Sequence, residues 1–236
     1  MQTRSSEILL LARTDFIGIS RFAGSYFVLA GLLAVFLALT RLPFHAIGGQ
    51  PFVAWTTSCA QIASGVVVLL AALRLETTAH AHRHPAVLAR LHSAADAIIA
   101  RVATLFALGF VSSAAFMLFL SAAGSTQAPW SAAHFQAFGQ LAVSSLLLAS
   151  SWAFLAGWLP PIPAVLSATL LGCLGLALPV LPERTARWVG CFIPDLGCLG
   201  STNCRIETLA ACVAQATLLL TITIWAGREP TNARTA

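Results

Sequence analysis

The chain predicts an all-α, polytopic membrane protein: a bundle of six transmembrane helices preceded by an amphipathic N-terminal segment. Two observations carry this. Six apolar runs each approach or exceed the roughly 20 residues an α-helix needs to cross about 30 Å of hydrocarbon, and nearly all the charge falls between them. Of 236 residues, 58% are hydrophobic and only 9% charged, with mean hydropathy +0.85, whereas soluble domains carry roughly a quarter charged residues.

Residues 1–21 form the N-terminal segment. Arg4, Glu7, Arg13 and Asp15 replace the short basic stretch and apolar core of a cleaved secretory signal, so the segment is expected to be retained. Ile8, Leu9, Leu11, Phe16 and Ile19 alternate with these polar groups, which suits a helix lying on a membrane surface. An organelle-targeting segment is the competing reading, favoured by arginine and serine content and opposed by the acidic residues.

The transmembrane domain occupies 22–226, with spans at about 22–40, 52–73, 97–122, 135–158, 162–181 and 207–226, each bounded by charge, proline or tryptophan. A polar tail, 227–236, follows. An even number of spans puts both termini on one side. If that side is inner, it holds nine of thirteen arginines, leaving Arg41, Arg184, Arg187 and Arg205 outside. The positive-inside tendency therefore favours N-in and C-in, in a plasma, inner or organelle inner membrane. Trp55, Trp130, Trp158, Trp188 and Trp225 fall near span ends, as an interfacial aromatic belt requires.

The third helix is expected to begin before its apolar core. Pro85 suits a first helical turn, and Val87, Leu88, Leu91, Ala94, Ala95 and Ile98 recur at helical spacing. A helix from 85 to 122 would be about 57 Å long, so its first dozen residues would project from the bilayer, with Arg101 at the boundary. Trp158-Leu-Pro-Pro-Ile-Pro163 leaves almost no loop between helices four and five. Along helix four, Ser145, Ala149, Ala153 and Gly157 repeat every four residues. Such a small-residue stripe lets helices approach closely in lipid, within the bundle or against another subunit. The two halves of the chain share no motif or broken helix of the kind seen in inverted-repeat transporters.

Several activities are excluded or weakened by what is missing. The chain has no lysine, so it cannot form a lysine Schiff base with retinal or pyridoxal, nor a P-loop with its Gly-Lys-Ser/Thr. G-x-S-x-G is also absent. The loop Cys191-Phe-Ile-Pro-Asp195-Leu-Gly-Cys198-Leu-Gly-Ser-Thr-Asn-Cys204 brings three cysteines within fourteen residues on the expected outer side. A disulfide such as Cys191–Cys198 or Cys191–Cys204, with one thiol left over, fits an oxidising compartment; zinc and thiol-redox sites want C-x2-C spacing, which this loop lacks. Cys59, Cys173 and Cys212 lie in spans as small packing residues.

His80, His82 and His84, followed by His92, occupy the expected inner loop. They are weak candidates for a metal site, because no carboxylate follows within the tract and H-E-x-x-H is absent; a solvated, pH-responsive loop is the simpler reading. No histidine lies deep in a span, against bis-histidine haem. Ionisable groups within the hydrocarbon mark transport or proton relays, and here the span interiors offer Gln61, Gln140 and Gln215 instead.

No catalytic residue is assigned and the balance leans away from an enzyme. The leading expectation is a non-catalytic membrane subunit that scaffolds or stabilises a larger complex, in contact with the bilayer and other membrane subunits, with bound lipid and no cofactor or nucleic acid. A channel or carrier for a neutral or lipophilic solute is the alternative, and a metal- or thiol-dependent membrane enzyme the second.

Overall fold

A computed structural model of the chain describes residues 8–19, 25, 28–32, 50–81, 94–124, 132–177, 182, 184–185 and 206–226. Every regular element among them is helical. A short helix, α1, spans 8–19. It is followed by α2 (Gln50–Ala81), α3 (Ala94–Gly124), α4 (Ala132–Trp158), α5 (Pro161–Ala177) and α6 (Ile206–Ala226); residues 28–32 are also helical. Among the described residues, four segments are long and apolar enough to cross a bilayer: Thr56–Leu75, Ala95–Ala122, His134–Trp158 and Ile206–Ala226. The expected first span, 22–40, lies mostly outside the described residues. The fifth, α5, is described over 17 residues, at the lower limit for spanning.

Hydropathy and helix ends separate most clearly in α2. The expected span stops at 73, yet the helix continues through Arg74-Leu-Glu-Thr-Thr-Ala-His-Ala81. None of these residues breaks a helix; the fall in hydropathy marks an apolar boundary without ending the backbone hydrogen bonding. At 32 residues, α2 is about 48 Å long and exceeds a bilayer core. It is thus a second helix long enough to project, beside α3, whose expected start at 85–93 lies outside the described residues.

The turn between α4 and α5 is as short as its prolines imply. The Leu159 amide still donates to the Leu155 carbonyl at 2.8 Å, and the Pro160 carbonyl already accepts from Ala164 at 2.9 Å. Pro161 and Pro163 occupy the first turn of α5, where a missing amide hydrogen leaves nothing unsatisfied.

The hub is α4, which touches α2, α3, α5 and α6. Its tightest junction is with α2 and α3, at Gly109. A Cβ on Gly109 would stand 2.8 Å from Val68 Cγ2, 3.1 Å from Ser145 Oγ and 3.2 Å from Ser145 Cβ. Only a hydrogen fits there, so the α3 backbone lies directly against side chains of two neighbours. Around this point Val67, Val68, Leu105, Met117, Leu141, Ala149 and Trp152 are buried in one cluster. By contrast α6 buries only Cys212, Ala216 and Thr223, and meets α4 through Leu147, with Val143, Leu146 and Leu209 packed around the contact. Val111, Phe119, Leu166, Leu170 and Leu218 are exposed, as bilayer-facing side chains are.

The Gly109 junction makes a direct prediction. Gly109→Ala introduces overpacking of the kind that costs about 1–3 kcal/mol, and should lower the thermal unfolding midpoint of the detergent-solubilised protein. Val68→Ala in the same chain removes the nearest clashing atom and should recover part of the loss.

Candidate functional site

Most of the hydroxyls in the described spans bond to carbonyls of their own helices. Thr56 and Thr57 donate to the Val53 carbonyl (3.0 and 2.7 Å), Ser64 to Gln61 (3.0 Å), Thr104 to Ala100 (2.9 Å), Ser112 and Ser113 to Gly109 (3.1 and 2.7 Å), and Thr223 to Leu219 (2.7 Å). Thr217 and Thr221 are exposed, yet donate to Val213 and Thr217 at 2.8 Å each. Back-bonding of this kind leaves a hydroxyl needing no water, which suits a surface in lipid.

One side-chain pair crosses between α2 and α4. Gln61 Nε2 donates to Ser144 Oγ at 2.6 Å, and Ser144 Oγ donates to the Gln140 carbonyl at 2.9 Å. The other end of the amide, Gln61 Oε1, is buried without a hydrogen-bond partner. Ser121 Oγ, Ser150 Oγ and Trp152 Nε1 are likewise buried and unpartnered. These atoms do not converge: Ser150 and Trp152, two residues apart on α4, point about 200° apart around the helix, and Ser121 lies near the far end of α3.

A second polar group joins α1 to α3. The Ala12 carbonyl lies 3.4 Å from Thr104 Oγ1, whose shorter bond is to Ala100. Ile19 of α1 is buried. Burial pushes the Asp15 carboxyl above its ordinary pKa of 3.8, and the nearby Arg101 guanidinium pulls it partly back. Asp96, at the start of α3, is also buried.

The structure divides the small-residue stripe. Ser145, Ala149 and Ala153 are buried, Ser145 against Gly109, whereas Gly157 is exposed and a Cβ there would meet nothing within 4 Å. Gly157 lies at the end of α4, where Trp158, Leu159 and Pro160 are exposed as well. Of the candidate metal ligands, His80 falls in the last turn of α2, because the helix continues past the apolar boundary. His82, His84 and His92 lie outside the described residues, as do Cys191, Cys198 and Cys204. No cluster of three metal-ligating side chains occurs among the described residues. Cys59 and Cys212 are buried, and no disulfide is formed among the described residues.

Sequence reasoning missed Gly109 and Trp152. Gly109 stands between Leu108 and Phe110, with no regular small-residue partner to draw attention to it. Trp152 is the one tryptophan remote from an expected span end, and this is the available signal for its near-complete burial. Trp158 and Trp225, at the ends of α4 and α6, are exposed.

Comparison of the chain with known protein families, with curated proteins and with solved structures finds no match.

Two predictions arise from these groups. Ser144→Ala strands the Gln61 donor, a loss of about 1–3 kcal/mol, whereas Gln61→Met removes both that donor and the unpartnered Oε1 with similar volume. Thermal unfolding in detergent should therefore fall further for Ser144→Ala than for Gln61→Met. For Asp15, the docked helix holds its proton more tightly than the undocked one. Its contribution to docking is fully present below pH 3.8 and is lost as pH rises through the raised value. Amide protection over residues 8–19, corrected for intrinsic exchange, should increase as pH falls from neutrality toward 3.8, and Asp15→Asn should remove that dependence.

Proposed function

We propose that the protein is a non-catalytic integral membrane subunit that scaffolds or stabilises a larger membrane complex. The observation that carries this reading is the contrast between the two sides of its helices. Inside, α2, α3 and α4 meet at a glycine with no room for a methyl group, and most of the span hydroxyls bond to their own backbones. Outside, α6 presents Ala210, Ala214, Thr217 and Thr221 at spacings of three or four residues, all exposed. That is a surface suited to close helix approach in lipid. In this reading the termini face the inner side, the cysteine-bearing loop the outer side, and the protruding part of α2 offers further surface to a partner.

A channel or carrier for a neutral solute is supported by one observation. Gln61 Oε1 is a buried acceptor within the bundle and makes no hydrogen bond, so it is available to a donor on a solute. The metal- or thiol-dependent enzyme gains no support of this kind.

Purification of the tagged chain from its native membrane in mild detergent tests the proposal. Other membrane proteins should copurify in fixed stoichiometry. Recovery of a stable monomer that moves a neutral solute across liposomes would instead establish the carrier reading.

A further inference from the structure

We infer that α1 is a lipid-docking helix, held to the bundle by its polar face, with its outward face in the bilayer interface and Arg13 meeting lipid phosphate. This rests on the membrane-embedded reading but not on the scaffolding role. The helix is oriented opposite to one that packs on a water-soluble protein. Ile8, Leu11, Ala12 and Asp15 are half-buried and Ile19 fully buried on the side facing the bundle. Leu9, Leu10, Phe16 and Ile17 are 71%, 56%, 52% and 48% exposed.

Around the helix these four large apolar residues occupy one broad outward arc, and Arg13 stands near its middle, also exposed. The carboxylate of α1 is turned away from this arc, toward Arg101. Water would favour the reverse, with Asp15 outside and the four apolar side chains covered. A membrane interface accommodates what is seen, because apolar side chains enter the acyl boundary while an arginine stem lies along them and its head reaches the phosphates. The guanidinium fork matches phosphate oxygens in shape and charge.

The position of α1 agrees with this occupant. It lies against Thr104 and Arg101, within the first third of α3, next to the exposed residues Ala103, Ala107 and Val111 of the same span. The arc of α1 and this stretch of α3 thus both present exposed apolar side chains. A soluble partner is disfavoured because α1 lies against Thr104 and Arg101 of a candidate membrane span, and a second copy of the chain would have to cover an arginine amid apolar residues without supplying phosphate.

Single nitroxide labels at Leu10→Cys, Ile17→Cys and Leu11→Cys, in the full chain with its native cysteines replaced, test the inference. The chain is reconstituted alone in nanodiscs of phosphatidylcholine and phosphatidylglycerol, so lipid contact is read whether or not a partner complex exists. Labels at Leu10→Cys and Ile17→Cys should be relaxed more by oxygen than by a water-soluble nickel chelate, while Leu11→Cys is shielded from both. Arg13→Glu should shift the two outward labels toward the aqueous ratio. Nickel contact exceeding oxygen contact at the outward positions overturns the inference by placing the face in water. Shielding of those positions from both reagents overturns it in favour of a protein partner, and exposure of Leu11→Cys overturns it by showing that α1 is undocked.

Discussion

The bundle depends on the absence of one side chain. At Gly109 the backbone of α3 lies against Val68 of α2 and Ser145 of α4, so close that a methyl group has no place. In lipid, apolar burial offers helices little reason to associate, and close packing must take its place. The Ser112 and Ser113 hydroxyls both turn back to the Gly109 carbonyl, so the crossing brings no unbonded hydroxyl from these two serines into the interior. α4 also carries α5 and α6, which touch α2 and α3 respectively as well, so the outer helices rest on the same three-helix core.

This arrangement gives the functional reading its physical basis. The residues that fill the centre are packed and mostly self-satisfied, while the outer helices present apolar side chains and threonines whose hydroxyls need no water. Charged side chains lie toward the start of α3, where Arg101 is near Asp15 and Asp96 is buried. Gln61 Oε1, Ser150 Oγ and Trp152 Nε1 are buried exceptions within the spans; the carrier reading attaches to Gln61 Oε1, an acceptor open to a donor on a solute.

Much of the architecture was legible because membrane helices announce themselves by composition over long windows. The ends of α4 and α6 agree closely with the expected spans, Trp158 and Ala226 closing the two helices. Other features depend on relations a linear pattern does not contain. The N-terminal amphipathic character was visible, but Leu9 and Phe16 face outward while Ile8, Leu11 and Ile19 face the bundle, a division set by docking against α3. The stripe from Ser145 to Gly157 has one spacing throughout, yet its last member stands at the exposed end of α4. Gly109 was invisible for a related reason: its importance comes from what two other helices place beside it.

The most direct test is a cross-link across the junction. Cysteines at Val68 and Ser145, in a chain otherwise lacking thiols, are treated in native membranes with a short bifunctional maleimide. The packing at Gly109 predicts a bridge within one chain: the protein stays monomeric in denaturing gels, and its two ends remain joined after cleavage in the loop between α3 and α4. Cross-linked dimers, or no bridge at all, would contradict it and assign the small-residue surface to another subunit.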